Sequence, residues 1–570
     1  MQSNSAEAHM GVRRTRFIFW AAAVGLGFAQ AWANRHFMSS DGISYLDMGD
    51  AFVRHDWHMF VNAWWSPLYP VLLGSMRALL RPSPYWEFTC VHLLNFVIFL
   101  FALVCFEFFL GRLIGAVRTR AADRDAASPV PEWCWWALGY IVFLWSSLTL
   151  ISLQTVSPDM LMAGFVYLAT GLLLRICAQT SAWLNYIALG VTLGLGYLAK
   201  APMFPLALVF LATCLLSSDN FRIAPPRVFV AFVVFGAIAV PWISALSHAK
   251  HRFTFGDTGR LNYMFYVDHA GPFWFWQDVG SGQGEFVHPP RRILDQPLAY
   301  EFGTPLKGTQ PVWYDPSYWG EGGRPKFNFR GQMGVLKDSL DSYLAVWPLA
   351  LTAGLLALVF FGDRGKECLR DMREQWTVWI PALAALCMYS LVLVQDRYVA
   401  VFLAIFWLGL FSGLRLPTIG DSPRVFSAVV IGIVTAMAIP LAASGFNDAI
   451  RVAHRPPHTQ WRMAQQLRAM GIQPGDHVAR IGGTRAADWA RLLHVSVIAE
   501  VPYYATEEFW TSSPEIQNQV LQAFAKTGSK AVIAQSSGHI PPPGWRRLSN
   551  SDYFAILLPP ASEQAFKDGK

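Results

Sequence analysis

Long apolar stretches dominate this sequence and restrict its fold more than any other feature. Of the 570 residues, 54% are hydrophobic and only 15% are charged, which is less charge than soluble chains of this size carry. A mostly apolar stretch of about 17–25 residues can cross a bilayer as a helix. We therefore predict a mainly α-helical polytopic membrane protein with about 11 transmembrane helices. The stretches lie near 17–34, 88–110, 135–153, 158–176, 183–199, 202–217, 228–247, 342–362, 376–395, 398–414 and 424–444.

The basic residues predict the orientation of these helices. Cytoplasmic loops are enriched in Lys and Arg, and with eleven spans the basic clusters, such as Arg13 to Arg16, fall on one side. "SPLYPVLLGSMRALL" (66–80) is short and interrupted by Arg77, so it is predicted to lie on the membrane surface. The N-terminus is then cytoplasmic. The segments 35–87 and 248–340 and the C-terminus face outward.

The remaining composition narrows the setting and the partners. The formal charge of +7 is accounted for by cytoplasmic loops, so membrane lipids and no nucleic acid are expected as partners. No Asn-x-Ser/Thr sequon occurs, which agrees with a bacterial inner membrane. Residues 1–445 are predicted to form the transmembrane domain. Residues 446–570 alternate helical and strand patterns, for example "SKAVIAQ" (529–535), and are predicted to form a small periplasmic α/β domain with about four strands.

Two acidic residues are candidate site residues on the outer side. In "SSDGISYLDMGD" (39–50), Ser40 is expected to cap a helix that starts at Asp41, with Tyr45 one turn further on the same face. In "TVSPDMLMAG", Asp159 lies in the first turn of another helix. A carboxylate at a helix start is also favoured by the helix dipole alone, so a purely structural role stays open for both. Asp47, further along its helix, is interpreted as solvated or structural.

Two cations are predicted on the same side, against the usual bias. Lys200 ends the fifth span and Arg397 opens the tenth. Lys200 alone is explained by snorkelling and Arg397 by pairing with Asp396. Together with the two acids they suggest a site in which cations hold a phosphate and a carboxylate acts as a general base. The outer loop also carries aromatic runs suited to stacking on sugars, "GRLNYMFYV", "GPFWFWQD" and "PVWYDPSYWGEGG".

These segments resemble the GT-C membrane glycosyltransferases, most of all the protein mannosyltransferase and aminoarabinose transferase group. Asp41-x-x-x-Tyr45 resembles the acidic motif of that family's first outer loop, and "SPLYPVLLGSM" its amphipathic helix. "SPDMLMAGFVYLATGLLLR" resembles its fourth-span acidic motif, "LGLGYLAKAP" its lysine-containing turn and "DRYVAVFLAIFWL", with Arg397 and Tyr398, its late Arg-Tyr segment. The resemblance covers roughly residues 15–415 in order.

The resemblance implies a GT-C fold and an inverting glycosyltransferase of the cell envelope. The donor would be a polyprenyl-phosphate-linked sugar and the acceptor a hydroxyl of a glycan, lipid or protein. Asp41 would be the catalytic base, and Tyr45, Asp159, Lys200, Arg397 and Tyr398 would bind substrate. Many relatives have an acidic pair where Asp41 is followed here by Gly42, so no metal ligand and no certain cofactor is assigned, while a divalent metal is left open. A multi-spanning transporter or flippase is the alternative, although its charges are expected near the bilayer midplane and its halves should be related.

Overall fold

The computed structural model divides the chain into two compact units. The first unit comprises residues 1–35, 92–256 and 332–455, and the second comprises 36–91, 257–331 and 456–570. The division into domains at 445 and 446 stays a prediction. The structure describes residues 2–122, 131–178, 182–218, 222–269, 287–288, 290–302, 307–318, 320–360, 365–414, 422–454, 458–482 and 487–559.

Among its described residues, the first unit contains helices and no strands. Two of its helices, α5 and α13, begin within the second unit and continue into the first. Numbered along the whole chain, its helices are α1 (Gln2–Ala33), α5 (Pro84–Ala122), α6 (Glu132–Leu144), α7 (Asp159–Ala178), α8 (Trp183–Ala199), α9 (Met203–Leu216), α10 (Ala224–Ala249), α13 (Phe329–Ala345), α14 (Leu349–Phe360), α15 (Gly365–Glu374), α16 (Trp376–Ser390), α17 (Asp396–Phe411) and α18 (Ser422–Ala453).

All eleven predicted apolar stretches overlap a helix of this unit. Among the described residues, five helices are long and apolar enough to cross a membrane, and α13 with α14 would be a sixth if counted as one span. The protein is accordingly an integral membrane protein. The stretch 342–362 is not one straight helix, because α13 and α14 are bent by 79°. Pro348 lies at the bend, where its ring disfavours a helical conformation of the preceding residue.

The second unit combines short helices with one sheet. Its elements come from the segment after α1, from the long loop and from the C-terminal residues. They are α2 (Ser40–Val53), α3 (Trp57–Phe60), α4 (Leu68–Leu80), α11 (Thr258–Tyr266), β1 (Arg291–Asp295), β2 (Leu298–Glu301), α12 (Pro311–Tyr314), α19 (Thr459–Ala469), β3 (His477–Ile481), α20 (Asp488–Leu493), β4 (Ser496–Val501), α21 (Thr506–Thr511), α22 (Pro514–Lys526), β5 (Ala531–Gln535), β6 (Arg546–Leu548) and β7 (Tyr553–Leu557).

The sheet has seven strands in the order β1-β2-β4-β3-β5-β7-β6. β3 pairs in parallel with β4 and β5, and the other pairs are antiparallel. The apolar core includes Ile481 and Val532 from the central strands and Phe509 and Phe524 from α21 and α22. The predicted C-terminal α/β domain is confirmed. The C-terminal residues contribute five strands to the sheet, β3 to β7, rather than the expected four. The long loop adds two more strands, the hairpin β1–β2.

Candidate active site

Asp159 is the centre of a cluster in the first unit. It is the first residue of α7, and its side chain is only 1% exposed. The Ser157 hydroxyl donates to Asp159 Oδ2 at 2.8 Å. A carboxylate this deeply buried is costly unless hydrogen bonds and counter-charges compensate it.

Two cations compensate Asp159. Lys200 follows the end of α8 in an extended conformation, and its Nζ donates to Asp159 Oδ1. Arg397, the second residue of α17, places Nε 3.6 Å from Asp159 Oδ2. The side chains of Lys200 and Arg397 are 14% and 21% exposed. The ends of three helices thus bring together residues that lie far apart in the sequence.

Tyr398 completes this group, which we call the cation cluster (Asp159, Lys200, Arg397 and Tyr398). Lys200 Nζ lies 3.6 Å from the centroid of the Tyr398 ring, and the Arg397 guanidinium carbon lies 5.2 Å from it. An aromatic face attracts cations at such distances. Two cationic groups and one carboxylate make the four side chains together positive. Such a group suits an anion with several oxygens, such as a phosphate.

Asp41 and Tyr45 lie on α2 in the second unit. The helix starts one residue earlier than predicted, because Ser39 rather than Ser40 is the cap and Ser39 Oγ accepts from the Gly42 amide. Asp41 is in the first turn and partly exposed. Tyr45 is buried, with its ring centroid 5.0 Å from that of Trp65 in an edge-to-face contact.

Trp313 contacts Asp41, a contact that the sequence did not reveal. Its indole Nε1 donates to Asp41 Oδ1 at 3.1 Å. Trp313 belongs to α12, within the aromatic run "PVWYDPSYWGEGG" that was predicted to stack on sugars. This hydrogen bond to one carboxylate oxygen helps to orient the Asp41 side chain. The predicted run 271–278 lies outside the described residues.

The structure therefore places the six predicted site residues in two groups. Asp159, Lys200, Arg397 and Tyr398 contact one another in the first unit. Asp41 and Tyr45 share α2 in the second unit. In the described part of the chain, no three His, Cys, Asp or Glu side chains are arranged to hold a metal ion.

Sequence reasoning also missed a buried ion network in the second unit, consisting of Asp47, Asp50, Arg77, Glu87 and Arg491. The side chains of Arg491, Glu87 and Asp47 are 3%, 2% and 4% exposed. Burial opposes the charge of Arg491, but the carboxylates of Glu87 and Asp47 outweigh it and raise the pKa of Arg491. Arg77 and Glu87 in otherwise apolar segments were the signal in the sequence, because charges there are rare without a partner or a function.

Several solved structures are similar to this chain over most of its length. ArnT from Cupriavidus metallidurans in the apo state is similar over 95% of this chain and 97% of that chain, with 13% identity and a TM-score of 0.50. The same protein bound to undecaprenyl phosphate gives the same coverage and identity with a TM-score of 0.48. The Archaeoglobus fulgidus oligosaccharyltransferase in complex with zinc and sulfate aligns over 90% of this chain and 68% of that chain, at 12% identity and a TM-score of 0.45.

A scan of protein-family models and a search of curated proteins give no match to the sequence. At 13% identity, the similarity to apo ArnT shows the fold. The predicted GT-C membrane fold is confirmed.

Proposed function

We propose that this protein is an inverting glycosyltransferase that moves a sugar from a polyprenyl-phosphate carrier to a hydroxyl acceptor at the outer face of a bacterial inner membrane. The cation cluster carries the proposal. Lys200 and Arg397 converge on one buried carboxylate and one aromatic ring, and both remain partly exposed. An arrangement of this kind suits a phosphate group at a membrane surface.

In the proposed reaction the bond between the sugar anomeric carbon and the phosphate oxygen breaks, and the phosphate keeps the electron pair. Lys200 and Arg397 stabilise the charge that develops on the leaving phosphate. The acceptor oxygen attacks the anomeric carbon from the opposite face, which inverts its configuration. Asp41 takes the proton of the acceptor hydroxyl. Because a phosphate is a good leaving group, no general acid is needed.

The proposed roles of the neighbouring residues are based on their contacts. Asp159 holds the two cations in place, and Tyr398 lies against both of them. Trp313 orients the Asp41 carboxylate. Tyr45 is proposed to bind substrate, and its edge-to-face contact with Trp65 fixes its ring.

The test is sugar transfer by purified protein in detergent, with a radiolabelled polyprenyl-phosphate sugar and a panel of hydroxyl acceptors. Replacing Asp41 with Asn should lower turnover by about 10² to 10⁴ while the protein still folds, because only the base is lost. Asp295→Asn is the matched control, since the Asp295 side chain is 81% exposed in the same unit.

Two results would overturn the proposal. Near-parent turnover of Asp41→Asn would remove Asp41 as the base. Movement of the lipid between the leaflets of a vesicle, with no sugar transferred to any acceptor, would favour the flippase alternative.

A further inference from the structure

The helix that carries Asp41 has a second functional face. Asp47 and Asp50 lie roughly 240° and 180° round α2 from Asp41, whereas Tyr45 lies within roughly 40° of it, at 3.6 residues per turn. One side of α2 therefore presents the predicted catalytic acid. The opposite side presents two acids that belong to the ion network.

Arg491 binds that second face. Its Nη1 lies 2.7 Å from Asp47 Oδ1 and 2.8 Å from Asp50 Oδ2, and its Nη2 lies 2.6 Å from Glu87 Oε1. Arg491 belongs to α20, more than 400 residues from α2 along the chain. A guanidinium presents its donors in a rigid fork, so two of these contacts hold α2 against α20 and the third holds Glu87 of α5.

Other contacts also hold α2, because the Tyr45 ring packs edge-to-face on Tyr69 of α4 and the Thr309 amide and hydroxyl donate to Asp47 at 2.7 and 3.0 Å. α2 packs on α4 through a close approach of Gly49 and Gly74, where a Cβ added to Gly74 would lie 2.4 Å from the Gly49 carbonyl oxygen. Arg77, one turn further along α4, pairs with Asp50 and also with Glu87, the latter at 2.8 Å. The charged contacts add to this packing, and those of Arg491 connect α2 to α20.

The charge balance makes Arg491 necessary. The network holds three carboxylates and two guanidinium groups, so its net charge is one negative. Without Arg491, the network would contain three acids and one cation, Arg77, and Asp47 would keep only its hydrogen bonds from Thr309 as direct polar contacts within the described residues. Buried like charges repel strongly because the local dielectric is low. The acids on α2 would move away from Glu87 or towards water, and α2 would turn with them.

We propose that Arg491 is a positioning residue for sugar transfer, which holds α2 in the orientation from which Asp41 acts. The C-terminal residues thereby take part in the reaction without contacting substrate. The role of Asp41 in this inference rests on the proposed function. The orientation of α2 by Arg491 does not, because it concerns only α2 and the ion network.

Arg491→Met is the main variant, and Arg480→Met is its matched control. Arg480 is another buried arginine of the second unit, on strand β3, and it pairs at 2.6 Å with Glu500 on the neighbouring strand. Hydrogen exchange of the amides of residues 42–53 is the first measurement. It should accelerate in Arg491→Met and stay near the parent rate in Arg480→Met. Unchanged exchange in Arg491→Met would overturn the inference whether or not the protein transfers sugar.

Steady-state kinetics are the second measurement. In Arg491→Met, kcat should fall about 10- to 100-fold, because a displacement of about 1 Å can cost that much, while the donor KM changes by less than about threefold. The double variant Arg491→Met/Glu87→Gln has the parent net charge in the network and should recover part of kcat. An Arg491→Met variant with faster α2 exchange and parent kcat would refute the catalytic half. A parent that transfers no sugar would refute the proposed function, and the exchange data would still decide the role of Arg491.

Discussion

Removing the ammonium of Lys200 should weaken the binding of a polyprenyl phosphate far more than the binding of the same lipid without its phosphate. Lys200 lies against Asp159 and the ring of Tyr398, and its side chain is 14% exposed. An ammonium carries three N–H donors, so contacts with Asp159 and with a phosphate are compatible. Lys200→Met deletes the charge and keeps a flexible side chain of similar length.

The strength of a hydrogen bond to a charged group gives the size of this effect. A hydrogen bond to a charged group contributes about 1.5–3 kcal/mol, which corresponds to a rise of about 10- to 150-fold in Kd. The variant also changes the charge of the cation cluster from one positive to zero, because Arg397 must then balance Asp159 alone. The double variant Lys200→Met/Asp159→Asn returns that charge to one positive and should recover part of the affinity.

The assay is native mass spectrometry of the purified protein with undecaprenyl phosphate and, separately, with undecaprenol. Lys337→Met, at an exposed lysine of α13, is the control for losing a surface charge. Parent affinity of Lys200→Met for undecaprenyl phosphate would refute this prediction. An equal loss of affinity for undecaprenol and for undecaprenyl phosphate would refute it as well.

Three further predictions concern Asp41, the buried Asp488 and the topology. Trp313→Phe should lower kcat about tenfold with little change in melting temperature, because it removes a hydrogen bond of about 1.5 kcal/mol to the Asp41 carboxylate. A variant with the parent kcat would exclude a role of Trp313 in orienting Asp41. Burial raises the pKa of Asp488 from 3.8 to about 7, so the folded protein keeps the carboxyl protonated at pH values where the unfolded chain has lost the proton. The free energy of unfolding should therefore fall by up to about 4 kcal/mol as pH rises from 4 to 7. In Asp488→Asn, the melting temperature should depend much less on pH across this range. The same pH dependence in the variant and the parent would contradict the raised pKa of Asp488. Alkaline phosphatase fused after Lys570 should be active, whereas activity of a cytoplasm-only reporter at that point would reject the outward C-terminus.

The sequence alone indicated where the apolar helices lie, because a bilayer imposes its thickness on every segment that crosses it. Each predicted apolar stretch overlaps a helix, and five helices among the described residues are long and apolar enough to cross a membrane. Helix α4 (Leu68–Leu80) occupies most of the stretch 66–80, which was predicted to lie on the membrane surface. Helix starts were also readable, since caps are local: Asp41 and Asp159 both lie in the first turn of a helix. The order of motifs along the chain was enough to indicate the GT-C fold.

The tertiary structure decided what depends on contacts between distant segments. The pairing of Lys200 with Asp159 follows from how three helix ends meet, and no local pattern specifies that. The hairpin β1–β2 joins the C-terminal sheet through β2 and β4, which lie about 200 residues apart in the sequence. In the sequence, nothing distinguishes Arg491 from other charged residues on short helices. Only the folded chain surrounds it with carboxylates, because burial and charge balance are properties of the packed whole.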